Sequence, residues 1–305
     1  MPGMGGTYAL IGAGRCGLGL AGAMRAAGLP VVGIVSRSPA SRRRARRLLP
    51  EVPVSPLCAP LPVASYYLVA VADDALAETA AAIARMLAPK TTRAVIHTSG
   101  LHPAAILNPC RLHRVAIGSL HPLFAFPPPS RRPPDLAGAF AAIEGEPAAE
   151  HASYQLARRL HMRPRRLPAH AKPLYHAAAA VAGNLTHVVI ALAKESLVRA
   201  GFRPVEAQAA LAPLVHASCG AALAARSLER LTGALARNDA RTVAAHLGAL
   251  PDDVAAAYRV IALAALPRLP GLPHPRGGAP HPLADTLTTA SSCASVTVMP
   301  YAEGG

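Results

Sequence analysis

The sequence predicts an α/β domain with a mostly parallel, doubly wound sheet, followed by an all-helical domain and a tail. In residues 1–170, short apolar runs alternate with helical segments, which is typical of a parallel sheet covered by helices. In residues 171–266, strand patterns give way to long helices rich in alanine and leucine. Residues 267–305 are dominated by proline, glycine, serine and threonine, which indicates a mostly disordered tail.

The first domain begins with a strand, a turn, a helix and a second strand. The apolar runs at 8–11 and 31–35 are the two strands, and Gly28 is expected to end the helix between them. Further elements follow the same alternation. Strands are predicted at residues 67–71, 94–97, 115–118 and 140–143, and a helix at 75–87.

Prolines and short polar residues mark the helices of the second domain. A first long helix is predicted to begin at Pro173 and to end near Gly201, because proline suits the first turn and glycine the residue after the last. Pro204 begins a second helix, Asn238 is expected to cap a third, and Pro251 begins a fourth. At a rise of about 1.5 Å per residue, the first helix would be roughly 40 Å long.

Composition limits the classes of function. The chain has 305 residues, of which 52% are apolar and 15% charged, and this excludes general disorder. Its net charge of +15 comes mostly from arginine, but the arginines form separate clusters, tryptophan is absent and aromatic residues make up only 4%. We therefore do not expect nucleic-acid binding to be the main role, although it stays open as an alternative.

Cysteine usage and charge also bear on the compartment. The five cysteines are widely spaced and indicate neither a disulfide framework nor a zinc site, so we expect no metal and a reducing compartment. The N-terminus has no basic segment before its apolar run, and we expect a cytoplasmic protein.

The uncharged stretch between Lys172 and Lys194 is long enough to cross a bilayer. Because polar residues recur there at helical spacing among small alanines, we expect a buried helix and no membrane partner.

A glycine-rich turn follows the first strand. Gly12, Gly14 and Gly17 form the pattern GxGxxG, with Arg15 and Cys16 inside it, at the start of a helix. In dinucleotide-binding folds the first glycine permits the tight turn, the second lets the backbone approach a pyrophosphate, and the third allows close packing. The free N–H groups of the helix would bind the phosphates. We therefore expect a Rossmann domain, and a glycine-rich turn without a ligand is the alternative.

The residues after the second strand indicate which dinucleotide binds. NAD-binding proteins usually have an acid there that holds the ribose 2′-hydroxyl. This chain has Ser36, Arg37 and Ser38 instead, followed by further arginines. A guanidinium and two hydroxyls match a 2′-phosphate, and we expect NADP(H) as the cofactor. The alternative is a solvated, basic start of a helix.

Polar residues also follow the strand predicted at 67–71. Ala72, Asp73 and Asp74 come at the edge of the sheet where ligands bind in this fold. They could border the nicotinamide, with the two acids also capping the next helix. For the two acids, capping alone is the favoured interpretation.

Two further strand ends carry candidate substrate contacts. Thr98, Ser99 and Gly100 follow one strand and are expected to line the substrate pocket. His121 precedes a proline at the end of the next strand and is expected to contact the substrate. The alternative for His121 is a histidine that anchors a loop.

The long helix of the second domain carries a polar stripe. Lys172, His176, Gly183, Asn184 and His187 fall at helical spacings on one face. Lysine, imidazole and amide groups can donate protons and hydrogen bonds to a carbonyl or a carboxylate. We expect Lys172 or His176 to donate a proton and Asn184 to orient the substrate. A polar seam between domains without catalysis is the alternative.

Several runs together resemble a family of two-domain Rossmann proteins whose C-terminal domain is a domain of unknown function. The similarity covers about residues 5–265, and the sequence differs from the family at Ala234, where proline is common, and at Asn238, where glycine is common. The matching runs are KPLYHAAA at 172–179 with Asn184 after it, HTSG at 97–100, GSLHPL at 118–123, FAAIEG at 140–145 and LTGALARND at 231–239.

The family in turn resembles, more distantly, the 6-phosphogluconate dehydrogenase-like superfamily. This resemblance implies hydride transfer with NAD(P), a helical domain of the 6-phosphogluconate dehydrogenase C-terminal type, and homodimers formed through that domain. Many β-hydroxyacid dehydrogenases use a lysine and an asparagine on the first long helix, where Lys172 and Asn184 stand here at a wider spacing. His121 with its proline is similar to the His-Pro of prephenate dehydrogenases, whose histidine contacts the reacting hydroxyl.

Three hypotheses of function follow. The leading one is an NADP-dependent oxidoreductase that transfers a hydride between NADP(H) and a small carbonyl, hydroxy or imino acid. The second is a protein that senses NADP(H) without turnover, and the third is a basic nucleic-acid-binding protein. A fold shared by many reductases does not identify a substrate.

Overall fold

A computed structural model of the protein describes residues 6–88, 90–111, 114–269 and 282–288. The chain divides into two compact units, Met1–Leu185 and Thr186–Gly305. The division falls about 15 residues beyond the boundary expected at 170. It lies there because the first turns of the long helix pack with the sheet, where Lys172 is buried.

The first unit is built around an eight-stranded sheet with the order β3-β2-β1-β4-β5-β6-β7-β8. Neighbouring strands are parallel except for β6 and β7. The mostly parallel sheet that the sequence predicted is confirmed, and the strand order reverses beside β1, where ligands bind in such sheets. The strands are β1 (Tyr8–Ile11), β2 (Val31–Val35), β3 (Val54–Ser55), β4 (Tyr66–Val69), β5 (Ala94–His97), β6 (Ala116–Pro122), β7 (Phe140–Gly145) and β8 (Arg163–Arg166).

Helices cover both faces of this sheet. Alternate residues of a strand point to opposite faces, so Leu10 packs in one apolar cluster while Ala9 and Ile11 pack in the other. The helices of the first unit are α1 (Arg15–Ala26), α2 (Pro39–Leu48), α3 (Leu76–Ala84), α4 (Asn108–Arg111), α5 (Pro147–Arg159) and α6 (Lys172–Ala180).

The sequence did not predict the two outer strands. β3 has two residues, too few for a recognisable alternation. β8 consists of three arginines and a proline, which is a polar composition. Arginine and proline suit this place, since they discourage the edge of a sheet from pairing with another chain.

The second unit is helical over its described residues, as predicted. Its helices are α7 (Thr186–Arg199), α8 (Pro204–Ala224), α9 (Ala240–Ala249), α10 (Asp252–Ala265) and α11 (Pro282–Thr288). The cap of α9 is Asp239, whose carboxylate accepts a hydrogen bond from the backbone N–H of Thr242 at 3.0 Å. The expected cap, Asn238, has instead a φ of 54°, a left-handed conformation that asparagine tolerates.

Part of the expected tail is ordered. Leu283 and Leu287 lie one helical turn apart on α11 and are 0% and 2% exposed. They pack against Val243 of α9 and Ala262 of α10. The short α11 is therefore held by its two leucines, and 270–281 and 289–305 of the expected tail lie outside the described residues.

Two helical stretches, Ala169–Arg199 and Pro204–Ala224, are long and apolar enough to cross a membrane by length and composition. Their most apolar windows are 0% and 6% buried. The single chain therefore does not bury these helices as expected: α7 and α8 contact each other, but nearly all residues of the two windows are half-buried or exposed. Exposed apolar surface of this size normally marks contact with another molecule.

Candidate active site

The glycine-rich turn is tight where it packs and open where a phosphate would approach. A Cβ on Gly12, whose φ is 106°, would lie 2.2 Å from the carbonyl oxygen of Ala70. A Cβ on Gly17 would lie 2.2 Å from the carbonyl oxygen of Gly12. A Cβ on Gly14 would meet no atom within 4 Å, and Gly14 is exposed at the start of α1. This is the geometry that a pyrophosphate needs beside free helical N–H groups.

The two residues inside the pattern differ in exposure. Arg15 is exposed at the first turn of α1. Cys16 is half-buried, and burial raises the pKa of its thiol to about 11. The thiol therefore stays protonated at neutral pH and adds no charge beside the turn.

The loop after β2 presents one charged group. Ser36 is buried, and the hydroxyl of Ser38 accepts a hydrogen bond from the backbone N–H of Ser41 at 3.3 Å and so caps α2. Arg37 is exposed, and its Nη1 lies 2.8 Å from Oε2 of Glu78. Of the three residues expected to bind the 2′-phosphate, Arg37 has the side chain that reaches outward.

The turn after β4 leads into a short 3-10 helix, Asp73–Ala75. The cap position is held by Ala72, and the two acids Asp73 and Asp74 lie in the first turn. Acids are favourable there because the N-terminal end of a helix carries positive partial charge. Ala72 and Asp74 are exposed and Asp73 is half-buried.

The turn after β5 is held by its own side chains. Nδ1 of the buried His97 accepts a hydrogen bond from the backbone N–H of Ser99 at 3.1 Å. Nε2 of His97 lies 3.2 Å from the carbonyl oxygen of Pro103 and therefore carries the hydrogen. The hydroxyl of Ser99 accepts from two backbone N–H groups, and that of Thr98 lies 3.4 Å from the carbonyl oxygen of Val69. Thr98 and Ser99, expected to line the pocket, thus shape the turn.

Lys172 is the most deeply buried charged group of the site. It is 1% exposed, and its Nζ donates to the carbonyl oxygen of Ser99 at 3.1 Å and to Oγ of Ser119 at 3.0 Å. Oγ of Ser119 lies in turn 3.4 Å from Oε2 of Glu144. Burial lowers the pKa of Lys172 to about 8, while Glu144 and Asp73 favour the ammonium form. The lysine therefore joins α6 to the ends of β5 and β6.

A cavity of about 600 Å³ lies between the end of β6 and the helix that begins at Lys172. Its polar wall contains His121, Tyr175, His176 and Asn184, and its apolar wall contains Leu123, Phe124 and alanines of α6. Lys172 is not part of the wall. Three of the four residues expected to be catalytic are thus brought to one cavity, with the lysine behind it.

Two imidazoles and a phenol meet at one side of this cavity. The hydroxyl of Tyr175 lies 2.8 Å from Nδ1 of His121, and the rings of His121 and His176 are 5.7 Å apart. Nδ1 of His176 is buried without a hydrogen-bond partner among the described residues. A Cβ on Gly100 would lie 2.5 Å from this atom and 2.9 Å from Nε2 of His121. A side chain at position 100 would therefore require one or both imidazoles to move.

The electrostatics keep this corner neutral. Burial, together with His176 and Lys172 and against an opposing effect of Asp73, lowers the pKa of His121 to about 4. Burial raises the pKa of Tyr175 to about 12. At neutral pH the phenol keeps its proton and can donate to Nδ1 of the uncharged His121, which leaves the hydrogen of that ring on Nε2.

A π-helical turn, Val181–Leu185, interrupts the long helix. The wider turn changes the direction of the side chains that follow, and such turns are common at functional sites. Gly183 and Asn184 belong to this turn and line the cavity. His187, the last residue of the predicted stripe, is exposed in the second unit.

Sequence reasoning assigned no role to Tyr175, Ser119, Glu144 or Glu78. The first three stand in the runs at 172–179, 118–123 and 140–145, so the resemblance was a usable signal for them. Glu78 gave no signal, because its partner Arg37 is 41 residues away in the chain.

Two family profiles match the chain. Residues 6–122 match a Rossmann-like domain, and residues 139–265 match a domain of unknown function, DUF2520. No curated protein matches the chain.

Solved structures share the fold. An inferred NADP oxidoreductase from Bacteroides fragilis is 24% identical, with a TM-score of 0.73 over 85% of this chain and 97% of that one. A protein from Thermotoga maritima is 19% identical, with a TM-score of 0.57 over 84% and 98%. A pyrroline carboxylate reductase from Plasmodium falciparum, solved with NADP bound, is 10% identical, with a TM-score of 0.54 over 76% and 86%.

Proposed function

Because this chain joins a Rossmann-like domain to a DUF2520 domain, we propose that it is an NADP-dependent oxidoreductase of small carbonyl, hydroxy or imino acids. The observation that carries the proposal is the cavity that joins His121, His176 and Asn184 at the sheet edge that also holds the glycine turn. The names of two solved structures with this fold, an NADP oxidoreductase and an NADP-bound reductase, support it.

The residues present fit a dinucleotide. Gly14 leaves room for a pyrophosphate at the start of α1, and Gly12 and Gly17 allow no side chain that would fill the turn. Arg37 would hold the 2′-phosphate, and Ala72 and Asp73 would border the ring end. When bound, the nicotinamide would supply or accept the hydride.

A proton donor must meet the charge that develops on the substrate heteroatom during reduction. We assign this role to His176, whose Nδ1 is buried, unpaired among the described residues and beside the cavity. Asn184 would orient the substrate through its amide, and His121 would contact the reacting group through Nε2. Both residues line the same cavity.

The contacts of Lys172 favour a role other than the proton donor that the sequence suggested. Its ammonium donates to Ser99 and Ser119, the residue is 1% exposed, and it is not part of the cavity wall. Its positive charge helps to keep His121 neutral. We therefore assign Lys172 as a positioning residue that fixes α6 on the sheet and the protonation state of the imidazole.

The apolar wall limits the substrate. Leu123, Phe124 and the alanines of α6 suit an aliphatic body, while the polar corner suits one carbonyl or imine. The volume of about 600 Å³ is within the range of small-molecule and cofactor sites.

Turnover with matched variants tests the proposal. Wild-type protein is incubated with NADPH and sets of carbonyl and imino acids, and loss of NADPH absorbance is followed. His176→Leu should lose about 10²- to 10⁴-fold in turnover, with an unchanged Kd for NADPH. His151→Leu, an exposed histidine of α5, is the control and should keep full turnover. Full turnover of His176→Leu would remove its assigned role, and NADPH binding without any turnover would favour the sensor.

A further inference from the structure

A second cavity, of about 410 Å³, lies in the first unit beyond the carboxyl ends of β2 and β3. Arg37 and Arg85 line it together with apolar groups such as Leu57 and Met86. An apolar wall beside two guanidinium groups suits a flat base that carries an anion nearby. The cavity therefore matches the adenosine 2′-phosphate end of the dinucleotide.

The backbone of the loop that carries Arg37 is fixed by a neighbour. Nη1 of Arg42, on α2, donates to the carbonyl oxygens of Ser36 at 2.8 Å and of Arg37 at 2.6 Å. These two hydrogen bonds fix the backbone of the loop. The side chain of Arg37 is not fixed by them, so it can exchange one partner for another.

That side chain is paired with a carboxylate. Nη1 of Arg37 lies 2.8 Å from Oε2 of Glu78, and the two side chains are 53% and 75% exposed. Glu78 and Ala82 of α3 and Arg85, its C-terminal cap, are four and three residues apart and so lie on one face, and Ala82 and Arg85 line the cavity. An exposed ion pair of this kind is weak and can be exchanged for a stronger one.

We propose that Glu78 is a specificity-determining residue: its carboxylate competes with the adenosine 2′-phosphate for Arg37 and so limits the preference for NADP over NAD. The inference rests on the proposed function, because it assumes a dinucleotide in this cavity. It assigns roles to Glu78 and Arg85, which belong neither to the glycine-rich turn nor to the loop after β2.

The competition follows from charge. A phosphate monoester carries about −1.5 to −2 at neutral pH and pairs with a guanidinium through two hydrogen bonds, so it displaces a single carboxylate. The displaced Glu78 still repels the phosphate, and Arg85 across the cavity offsets part of this repulsion. NAD has a hydroxyl at this position, so it leaves the ion pair of Arg37 and Glu78 intact. The affinity for NAD should therefore not depend on Glu78.

The test compares 2′,5′-ADP with 5′-ADP by titration calorimetry, and needs neither a substrate nor turnover. Glu78→Gln should tighten 2′,5′-ADP by about 2- to 5-fold at low salt, the strength of one exposed pair. Its effect on 5′-ADP should be below about 2-fold, and higher salt should shrink the gain because the charges are screened. Arg85→Ala should weaken 2′,5′-ADP selectively.

Glu51→Gln is the matched control, because Glu51 forms an ion pair with Arg25 outside the cavity and its loss changes the net charge equally. It should leave both affinities unchanged. Two results would overturn the inference about Glu78 but not the proposed function. The first is an equal gain in affinity for both ligands in Glu78→Gln. The second is no gain in Glu78→Gln although Arg37→Ala abolishes the preference for 2′,5′-ADP. Wild-type protein that binds neither ligand overturns the proposed function and the inference together.

Discussion

The hydroxyl of Tyr175 lies 2.8 Å from Nδ1 of His121 and fixes the direction in which this imidazole faces the cavity. One residue comes from α6 and the other from the end of β6. Their contact is edge to face, with ring centroids 5.4 Å apart. The pair turns Nε2 of His121 toward Gly100, beside which Nδ1 of His176 also lies.

Tyr175→Phe should release this ring without emptying the space. We expect the free energy of unfolding to fall by about 1 kcal/mol, the value of one hydrogen bond. The imidazole nitrogen chemical shifts of His121 should change from a single neutral tautomer with the hydrogen on Nε2 to a mixture. Tyr154→Phe, a half-buried tyrosine of α5, serves as the control. Unchanged nitrogen shifts in Tyr175→Phe would show that the hydroxyl does not orient His121.

Acid should destabilise the first unit through two buried histidines. Burial lowers the pKa of His97 to about 3 and that of His121 to about 4, below the ordinary value of 6.5. Between about pH 4 and 6.5 the unfolded chain binds more protons than the folded one. The free energy of unfolding should therefore fall with decreasing pH, by about 1.4 kcal/mol per pH unit for each histidine.

Urea unfolding at pH 7, 6 and 5 measures this slope. His121→Asn should reduce the slope of the free energy of unfolding against pH by the contribution of one histidine. His151→Asn changes an exposed histidine and should leave the slope unchanged. Equal slopes for wild type and His121→Asn would mean that His121 has the same pKa in the folded and the unfolded protein.

Two glycines of the turn should respond in opposite ways. Gly12→Ala places a Cβ 2.2 Å from a carbonyl oxygen at a φ of 106°, so it should lower Tm markedly. The Cβ of Gly14→Val meets no atom within 4 Å, and the variant should keep Tm within about 3 °C because the backbone of Gly14 is already extended. It should nevertheless weaken NADPH by at least about 10-fold, since the new side chain occupies the phosphate position. Unimpaired NADPH binding by a folded Gly14→Val would place the pyrophosphate elsewhere.

The sequence predicted what depends on local pattern. The turn at Gly12, the parallel strands and the helical second unit each follow from the spacing of a few neighbouring residues. It could not predict that Lys172 would be buried beneath the cavity, because that depends on Ser99 and Ser119, which lie 73 and 53 residues away in the chain. The π-helical turn at Asn184 was equally hidden, since a helical stripe looks the same with one inserted residue.

The helix α11 should contribute to the stability of the second unit. Leu283→Ala removes a side chain that is fully buried against α9 and α10, and such changes cost about 2–5 kcal/mol. Thr288→Ala at the exposed end of the same helix is the control. Thermal unfolding followed by circular dichroism compares the two variants. If Leu283→Ala is as stable as wild type, α11 is not packed in solution.

The exposed helices of the second unit should be covered by a second copy of the chain. On α8, Val205, Leu214 and Leu223 are 81%, 61% and 88% exposed, an arrangement that a soluble monomer rarely keeps. We expect a homodimer at micromolar concentration by light scattering. Leu214→Glu should shift it to monomer because a carboxylate would be buried without a partner, and Gln208→Glu, an exposed polar position of the same helix, should not. Sedimentation with lipid vesicles tests whether a membrane covers these helices instead. A monomer that binds vesicles would assign the helices to a membrane. A monomer that binds no vesicles would refute the dimer.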